Sequence, residues 1–193
     1  MELILASASP RRRELLSLMG LPFSVMVSGA DESAPASLSP DALVCRLAQK
    51  KAEYIAKKRP KACVIGADTL VSIDGEILGK PGTAEKAKSY LRKLSGREHS
   101  VFTGLCVITP SGINTRFAET KVRFRPLVKE EIDWYVATGD PLDKAGAYGV
   151  QGAACCFVDA VEGNYFNVVG LPLPLLYEML LQAGYIDRSR RLL

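Results

Sequence analysis

Histidine is nearly absent: His99 is the only one in 193 residues. A Ser-His-Asp triad or a histidine-rich zinc site would have to pass through it, so His99 reads more simply as a satisfied or surface histidine. The five cysteines (Cys45, Cys63, Cys106, Cys155, Cys156) are odd in number and form no C-x-x-C pair. That spacing excludes a thiolate metal knuckle and argues against a disulfide framework. Three of them sit in apolar runs, which points to reduced thiols in a cytoplasmic setting. Aromatic residues make up only 7% of the chain, few for a surface that stacks nucleic-acid bases. No apolar run reaches the ~20 residues of a membrane span. The first residues, Met-Glu-Leu-Ile-Leu-Ala-Ser, lack the basic and apolar regions of a secretory signal. Neither G-x-x-x-x-G-K-[ST] nor G-x-G-x-x-G occurs, so any phosphate site is of neither P-loop nor Rossmann type.

What the chain does have is an ordinary globular composition, 48% hydrophobic and 24% charged, with a formal net charge of +4. One folded unit of this size can bury a substantial core. The positive excess is too small to imply nucleic-acid binding, but it is uneven. Arg11, Arg12 and Arg13 are consecutive, residues 46–61 hold seven bases against the single acid Glu53, and Arg188, Arg190 and Arg191 crowd the end. The last two groups read as a solvated helix face and a frayed tail. A domain over residues 1–184 with a basic tail over 185–193 follows.

Residues 3–6 form a short apolar strand, and Ser9-Pro10 opens a helix that stops at Gly20. Residues 23–27 suggest a second strand. Ser39-Pro40 opens a longer helix, with Leu43, Leu47, Lys51 and Ile55 on one stripe and Val44, Ala48 and Ala52 beside it, ending near Arg59-Pro60. Residues 62–73 are apolar and β-branched, and Asp74-Gly75 is a two-residue hairpin turn of type I′. Thr83 caps a third helix, residues 100–109 and 113–124 pair as strands, and residues 129–138 form a helix stopped by Gly139. A glycine-rich loop at 144–152 precedes a strand at 155–161, and a helix over 174–183 ends at Gly184. Strands outnumber a simple βαβ alternation, so the expected fold is a mixed, twisted α/β sheet flanked by helices.

Four segments can carry chemistry. Ser7-Ala8-Ser9-Pro10-Arg11-Arg12 lies between a strand and a helix N-terminus, where free N–H groups favour an anion and disfavour cations. Adjacent arginines there are a local conflict that a bound polyphosphate resolves; the alternative is that they reach into solvent. Asp68, in Gly66-Ala67-Asp68-Thr69, is a carboxylate in an apolar strand and needs a partner. Gly66 shares its face and is expected to leave open space beside it for Mg²⁺ or an activated water; a structural hydrogen bond is the plainer reading. Lys80, in Gly79-Lys80-Pro81, could act as a point charge on phosphate, and Asp31-Glu32 adds carboxylates for a metal. Lys51, on an apolar stripe, either snorkels or points into a site. In Asp143–Gly152, Gln151 can read a base edge and Tyr148 can stack or hydrogen-bond.

Taken in order, Ser7–Arg12, Asp31-Glu32, Lys51-Ala52, Gly66–Thr69, Gly79–Pro81, Ser95-Gly96 with His99 and Thr103-Gly104, Asp143–Gly152 and Asn167–Pro172 closely resemble the Maf family of nucleoside triphosphate pyrophosphatases, also called septum formation proteins. The resemblance spans the chain to about Gly184. It implies hydrolysis of a nucleoside triphosphate to monophosphate and pyrophosphate in an inosine triphosphate pyrophosphatase-like fold of two lobes with a central cleft, and the 144–152 segment resembles the subgroup acting on dTTP and UTP. It further implies a divalent metal, Mg²⁺ with Mn²⁺ or Co²⁺ as alternatives, a homodimer, and no nucleic-acid or membrane partner. On this reading Asp68 and Glu32 bind the metal or activate water, and Lys80 assists catalysis. Ser7, Ser9, Arg11, Arg12, Lys51 and Thr69 hold substrate, and Gln151 and Tyr148 select the base. Two rivals are a nucleotide-sensing regulator of division that does not turn its ligand over, and an RNA-binding module using the 46–61 helix.

Overall fold

The computed structural model describes residues 1–35 and 37–187. The basic cluster Arg188, Arg190 and Arg191 therefore lies outside the described residues. The chain order is β1 (Leu3–Leu5), α1 (Pro10–Ser17), β2 (Ser24–Val25), α2 (Pro40–Ala56), β3 (Cys63–Ile73), β4 (Glu76–Leu78), α3 (Ala84–Leu94), β5 (Glu98–Thr109), β6 (Gly112–Phe124), α4 (Lys129–Ala137), β7 (Val158–Glu162), α5 (Tyr165–Val169) and α6 (Leu173–Gln182). Three short 3-10 turns, Asp140–Asp143, Ala145–Ala147 and Ala153–Phe157, lie between α4 and β7. The strands form one seven-stranded sheet in the order β2-β1-β3-β5-β6-β7, with β4 paired to β3 off that path. β1 is parallel to β2 and β3, whereas β3–β4 and β6–β7 are antiparallel, so the sheet is mixed as expected. No described helix is long and apolar enough to cross a membrane.

The chain divides into two compact units. Of the described residues, the first comprises those within 1–68, 103–118 and from 170 onward, and the second residues 69–102 and 119–169. Strands β3, β5 and β6 each pass from one unit into the other.

In the first unit, α2 lies on the sheet through Val44, Ala48, Ala52 and Ile55, which are buried at helical spacing. Its core joins Ile4, Ala6, Val64, Cys106 and Ile108 to that face. Leu43, Leu47 and Lys51 flank the buried stripe and are only half-buried. Two glycines set how close the helix comes. A Cβ at Gly66 would lie 2.2 Å from the Ala48 carbonyl oxygen, and one at Gly104 would lie 2.3 Å from that of Val44. Both strands thus present bare backbone to the helix. The open space expected beside Asp68 is filled by α2 itself.

In the second unit, Leu91, Leu94, Phe124, Tyr135, Tyr148 and Phe157 form the heart of a core to which α3, α4 and β6 contribute. The Asp74-Gly75 turn is as expected: φ is +52° and +78°, and the register pairs Ile73 with Glu76. One expectation is refined here and one changes. Residues 144–152 form the expected glycine-rich loop, with a single 3-10 turn at Ala145–Ala147 in which Gly146 sits at φ +67° against Val71. Strand β7 starts at Val158 rather than 155, because Ala154 and Phe157 anchor a 3-10 turn whose middle residues face solvent. Asn167, part of a motif read from sequence, is a structural clasp. Its side-chain amide donates to the Val101 carbonyl and the Thr120 hydroxyl, both at 2.9 Å.

Candidate active site

Strand alternation puts Asp68 on the same face of β3 as Gly66. Because Gly66 admits α2 closely, the next turn of that helix brings Lys51 onto Asp68, with Nζ 2.6 Å from Oδ1. Both side chains are largely covered, 12% exposed for lysine and 14% for aspartate. The same ammonium lies 3.3 Å from Glu32 Oε2, whose side chain is 60% exposed. Lys51 therefore does not snorkel to solvent; it joins both carboxylates singled out from sequence. Its neighbour Lys50 steadies the acidic loop, donating to the Ser33 carbonyl at 2.6 Å and the Asp31 carbonyl at 3.3 Å. Asp31 is absorbed by its own turn, where the Ser33 hydroxyl and N–H hold its carboxyl below the usual carboxylate range.

The arginine conflict at the start of α1 is resolved by the fold. Ser9 is the N-cap and accepts from the Arg12 N–H at 3.4 Å, while its own N–H donates to Ser7 Oγ at 3.2 Å. Arg12 turns away from the helix end: Nε donates to the Gly170 carbonyl at 2.8 Å, and a terminal nitrogen lies 3.4 Å from the buried Ser7 hydroxyl. Burial lowers the Arg12 pKa, Asp68 and Glu32 oppose that shift, and Arg11 reinforces it. Arg11, Arg12, Glu32 and Asp68 thus share one electrostatic neighbourhood. A serine-lined helix N-terminus with guanidinium groups beside a lysine-bridged carboxylate pair can hold a polyanion and place a base near it.

The second unit carries the other residues. Thr69 follows Asp68 along β3 and is half-buried. Lys80 is exposed on a loop tied down by Gly82 N–H to Leu142 carbonyl (3.1 Å) and Gly146 N–H to Gly79 carbonyl (3.2 Å). Gln151 is exposed between two 3-10 turns. Tyr148 is a correction. It is 6% exposed, its ring packs edge-on against Phe124, and its hydroxyl is 2.8 Å from His99 Nε2. Burial raises the phenol pKa and pushes the imidazole down to about 4. The pair is core, and the ring presents no face for a base.

Sequence reasoning missed what holds the Gln151 segment. Lys144, 12% exposed, donates to the Asp140 carbonyl at 2.6 Å and meets the carboxylates of Asp140 (2.9 Å) and Asp143 (3.0 Å). The Tyr135 hydroxyl donates to the other Asp140 oxygen at 2.8 Å and accepts from the Gly149 N–H at 3.3 Å. Asp140 and Lys144 stand four apart, but Pro141 between them hides a helical signal. Gly104 carried a readable sign, a glycine inside an apolar strand.

A model of the Maf-like protein family matches residues 2–183. The chain belongs to the Maf family. A relative from Symbiobacterium thermophilum described as dTTP/UTP pyrophosphatase is 50% identical over 184 residues, covering 95% of each chain. A Geobacillus relative with the same description is 52% identical over 172 residues, covering 89% of this chain and 92% of the relative. Among solved structures, the Staphylococcus aureus Ham1 protein superposes with a TM-score of 0.57 at 14% identity, covering 95% of this chain and all of that one. That likeness shows that this Maf family member shares the Ham1 fold. Among the described residues no group of three or more His, Cys, Asp or Glu side chains could hold a metal. The carboxylates that this family member offers a cation in its first unit are Asp68 and Glu32, and both already converge on one cation, Lys51.

Proposed function

We propose that the chain hydrolyses nucleoside triphosphates, dTTP, UTP and related or modified pyrimidine nucleotides, to nucleoside monophosphate and pyrophosphate. The observation that carries the reading is the covered Lys51–Asp68 pair, with Glu32 on the same ammonium and Arg12 in electrostatic reach. Relatives near 50% identity described as dTTP/UTP pyrophosphatases support it.

Cleavage of the α–β linkage needs a water aimed at the α-phosphorus and neutralisation of charge on the departing pyrophosphate. Asp68 takes the proton from that water, a general-base role contributing typically 10²–10⁴-fold. Lys51, held by Asp68 and Glu32, fixes the carboxylate and faces the phosphates. Ser7, Ser9 and the N–H groups around them donate to phosphate oxygens, and Arg11 and Arg12 balance their charge. For Thr69, Lys80 and Gln151, which belong to the second unit, the roles of phosphate donor, phosphate cation and base reader rest on the Maf resemblance alone. Tyr148 has no ligand role.

The donor set fits a divalent cation. Mg²⁺ binds through one or two carboxylates and completes its shell with water and substrate phosphate. Asp68 and Glu32 would hold it, with Mn²⁺ or Co²⁺ as substitutes. When bound, the metal neutralises phosphate charge. Homodimeric assembly is supported by the resemblance and a cytoplasmic setting by the free cysteines, and light scattering of purified protein tests the first.

A panel of ordinary and modified triphosphates with Mg²⁺, Mn²⁺ or EDTA tests the function. Pyrophosphate release from dTTP and UTP, lost in EDTA, is expected. Binding of nucleotide without turnover in every metal would favour the sensing role instead.

A further inference from the structure

Cys155 and Cys156 are both free and both exposed, in contrast to buried Cys63 and Cys106. They occupy the middle of the Ala153–Phe157 turn, with buried Ala154 before them and buried Phe157 after. The turn is pinned at both ends. The Cys155 N–H donates to the Gly152 carbonyl at 2.9 Å, Arg125 Nε donates to the Cys156 carbonyl at 2.8 Å, and the Arg125 N–H donates to the Phe157 carbonyl at 2.9 Å. So held, the two sulfurs lie 3.9 Å apart.

We propose that Cys155–Cys156 is a vicinal dithiol site for a trivalent, thiophilic metalloid compound, a monosubstituted arsonous acid being the chemical class it takes. Three observations favour this over other thiol chemistry. First, a direct S–S bond is disfavoured: neighbouring Cα atoms are about 3.8 Å apart across a trans peptide, below the ~4.4–6.8 Å span of ordinary disulfides. Second, a structural zinc ion asks for four protein ligands, and no group of three His, Cys, Asp or Glu comes together among the described residues. A trivalent centre that brings one substituent of its own asks for two thiolates only. Third, two exposed sulfurs at 3.9 Å are close enough to bond one intervening atom by small side-chain rotations, with the backbone left in place. The step balances without an oxidant. Two S–H bonds and two As–O bonds break, two As–S bonds form, and two waters leave.

The full-length protein treated with one equivalent of phenylarsine oxide, washed with glutathione and weighed by intact mass spectrometry tests this. One phenylarsenic group per chain is expected to survive the monothiol wash and to be removed by an excess of a dithiol. Cys155→Ser and Cys156→Ser are each expected to lose the retained adduct, and Cys45→Ser to keep it. Proteolytic mapping of the wild-type adduct provides a readout independent of any variant's folding, with the group expected on the peptide holding both cysteines. No retained adduct in the wild type, retention in either single variant, or its location on Cys45, Cys63 or Cys106 would overturn the proposal.

Discussion

The Lys51 ammonium lies 2.6 Å from Asp68 Oδ1, and two glycines make that distance possible. Lys51 belongs to α2 and Asp68 to β3. Gly66 on β3 and Gly104 on β5 let the helix backbone rest on the strands with no Cβ between. The packing of Val44, Ala48, Ala52 and Ile55 carries the helix onto the sheet, and the covered ion pair forms where that packing sets Lys51 down.

Gly66→Ala tests that view. Its Cβ would fall 2.2 Å from the Ala48 carbonyl oxygen, a backbone atom that can yield only if α2 moves. Denaturant unfolding should show a loss of about 1–3 kcal/mol, the usual cost of overpacking. Turnover should fall as well, because the helix that carries Lys51 is displaced. Unchanged stability and activity would mean that α2 is not held this closely.

Tyr148→Phe and Gln151→Ala separate a core residue from a reader of the base. Tyr148→Phe leaves buried His99 Nε2 without its partner, and a loss of about 1–3 kcal/mol is expected. The ratio of kcat/KM for dTTP over dGTP should stay at the wild-type value. Gln151→Ala should lower that ratio with little change in thermal stability, since the side chain is exposed.

Acid should weaken the second unit through His99. Burial pushes its pKa from 6.5 to about 4, so the folded protein binds fewer protons than the unfolded chain between those values. The stabilisation is complete above pH 6.5 and is lost as pH falls toward 4, on the order of 3 kcal/mol in all. Urea midpoints measured from pH 7 to pH 4 should drop more steeply for the wild type than for His99→Gln. Parallel curves would remove His99 from the account.

Lys144→Met keeps the aliphatic stem and removes the charge that meets Asp140 and Asp143. A loss of about 1–3 kcal/mol is expected, with faster proteolytic nicking in the 139–152 segment. An unaltered nicking rate would show that the segment is held by other contacts.

Sequence patterns that depend on one stretch of chain were the legible ones. Asp74-Gly75 demanded positive φ at two successive residues, and both adopt it. Ser9-Pro10 opened a helix with its serine as cap. The mixed sheet followed from strand number and the hairpin. What stayed closed depended on contacts far apart in sequence. Lys51 had two readings until Asp68 and Glu32 were seen beside it. Gly66 read as space, because no local signal says which helix fills it. Tyr148 read as a ligand group because tyrosine serves cores and sites alike, and its partner His99 lies 49 residues away. Arg12 faced a helix dipole on paper, but its Nε donates to the carbonyl of Gly170, 158 residues on.

The most direct test of the central claim is pyrophosphate release from dTTP by Asp68→Asn, with folding followed by circular dichroism and thermal melting. A cooperative melt near that of the wild type is expected, with turnover reduced by at least about 10²-fold, the lower range for losing a general base. Near-wild-type turnover in the folded variant would contradict that claim.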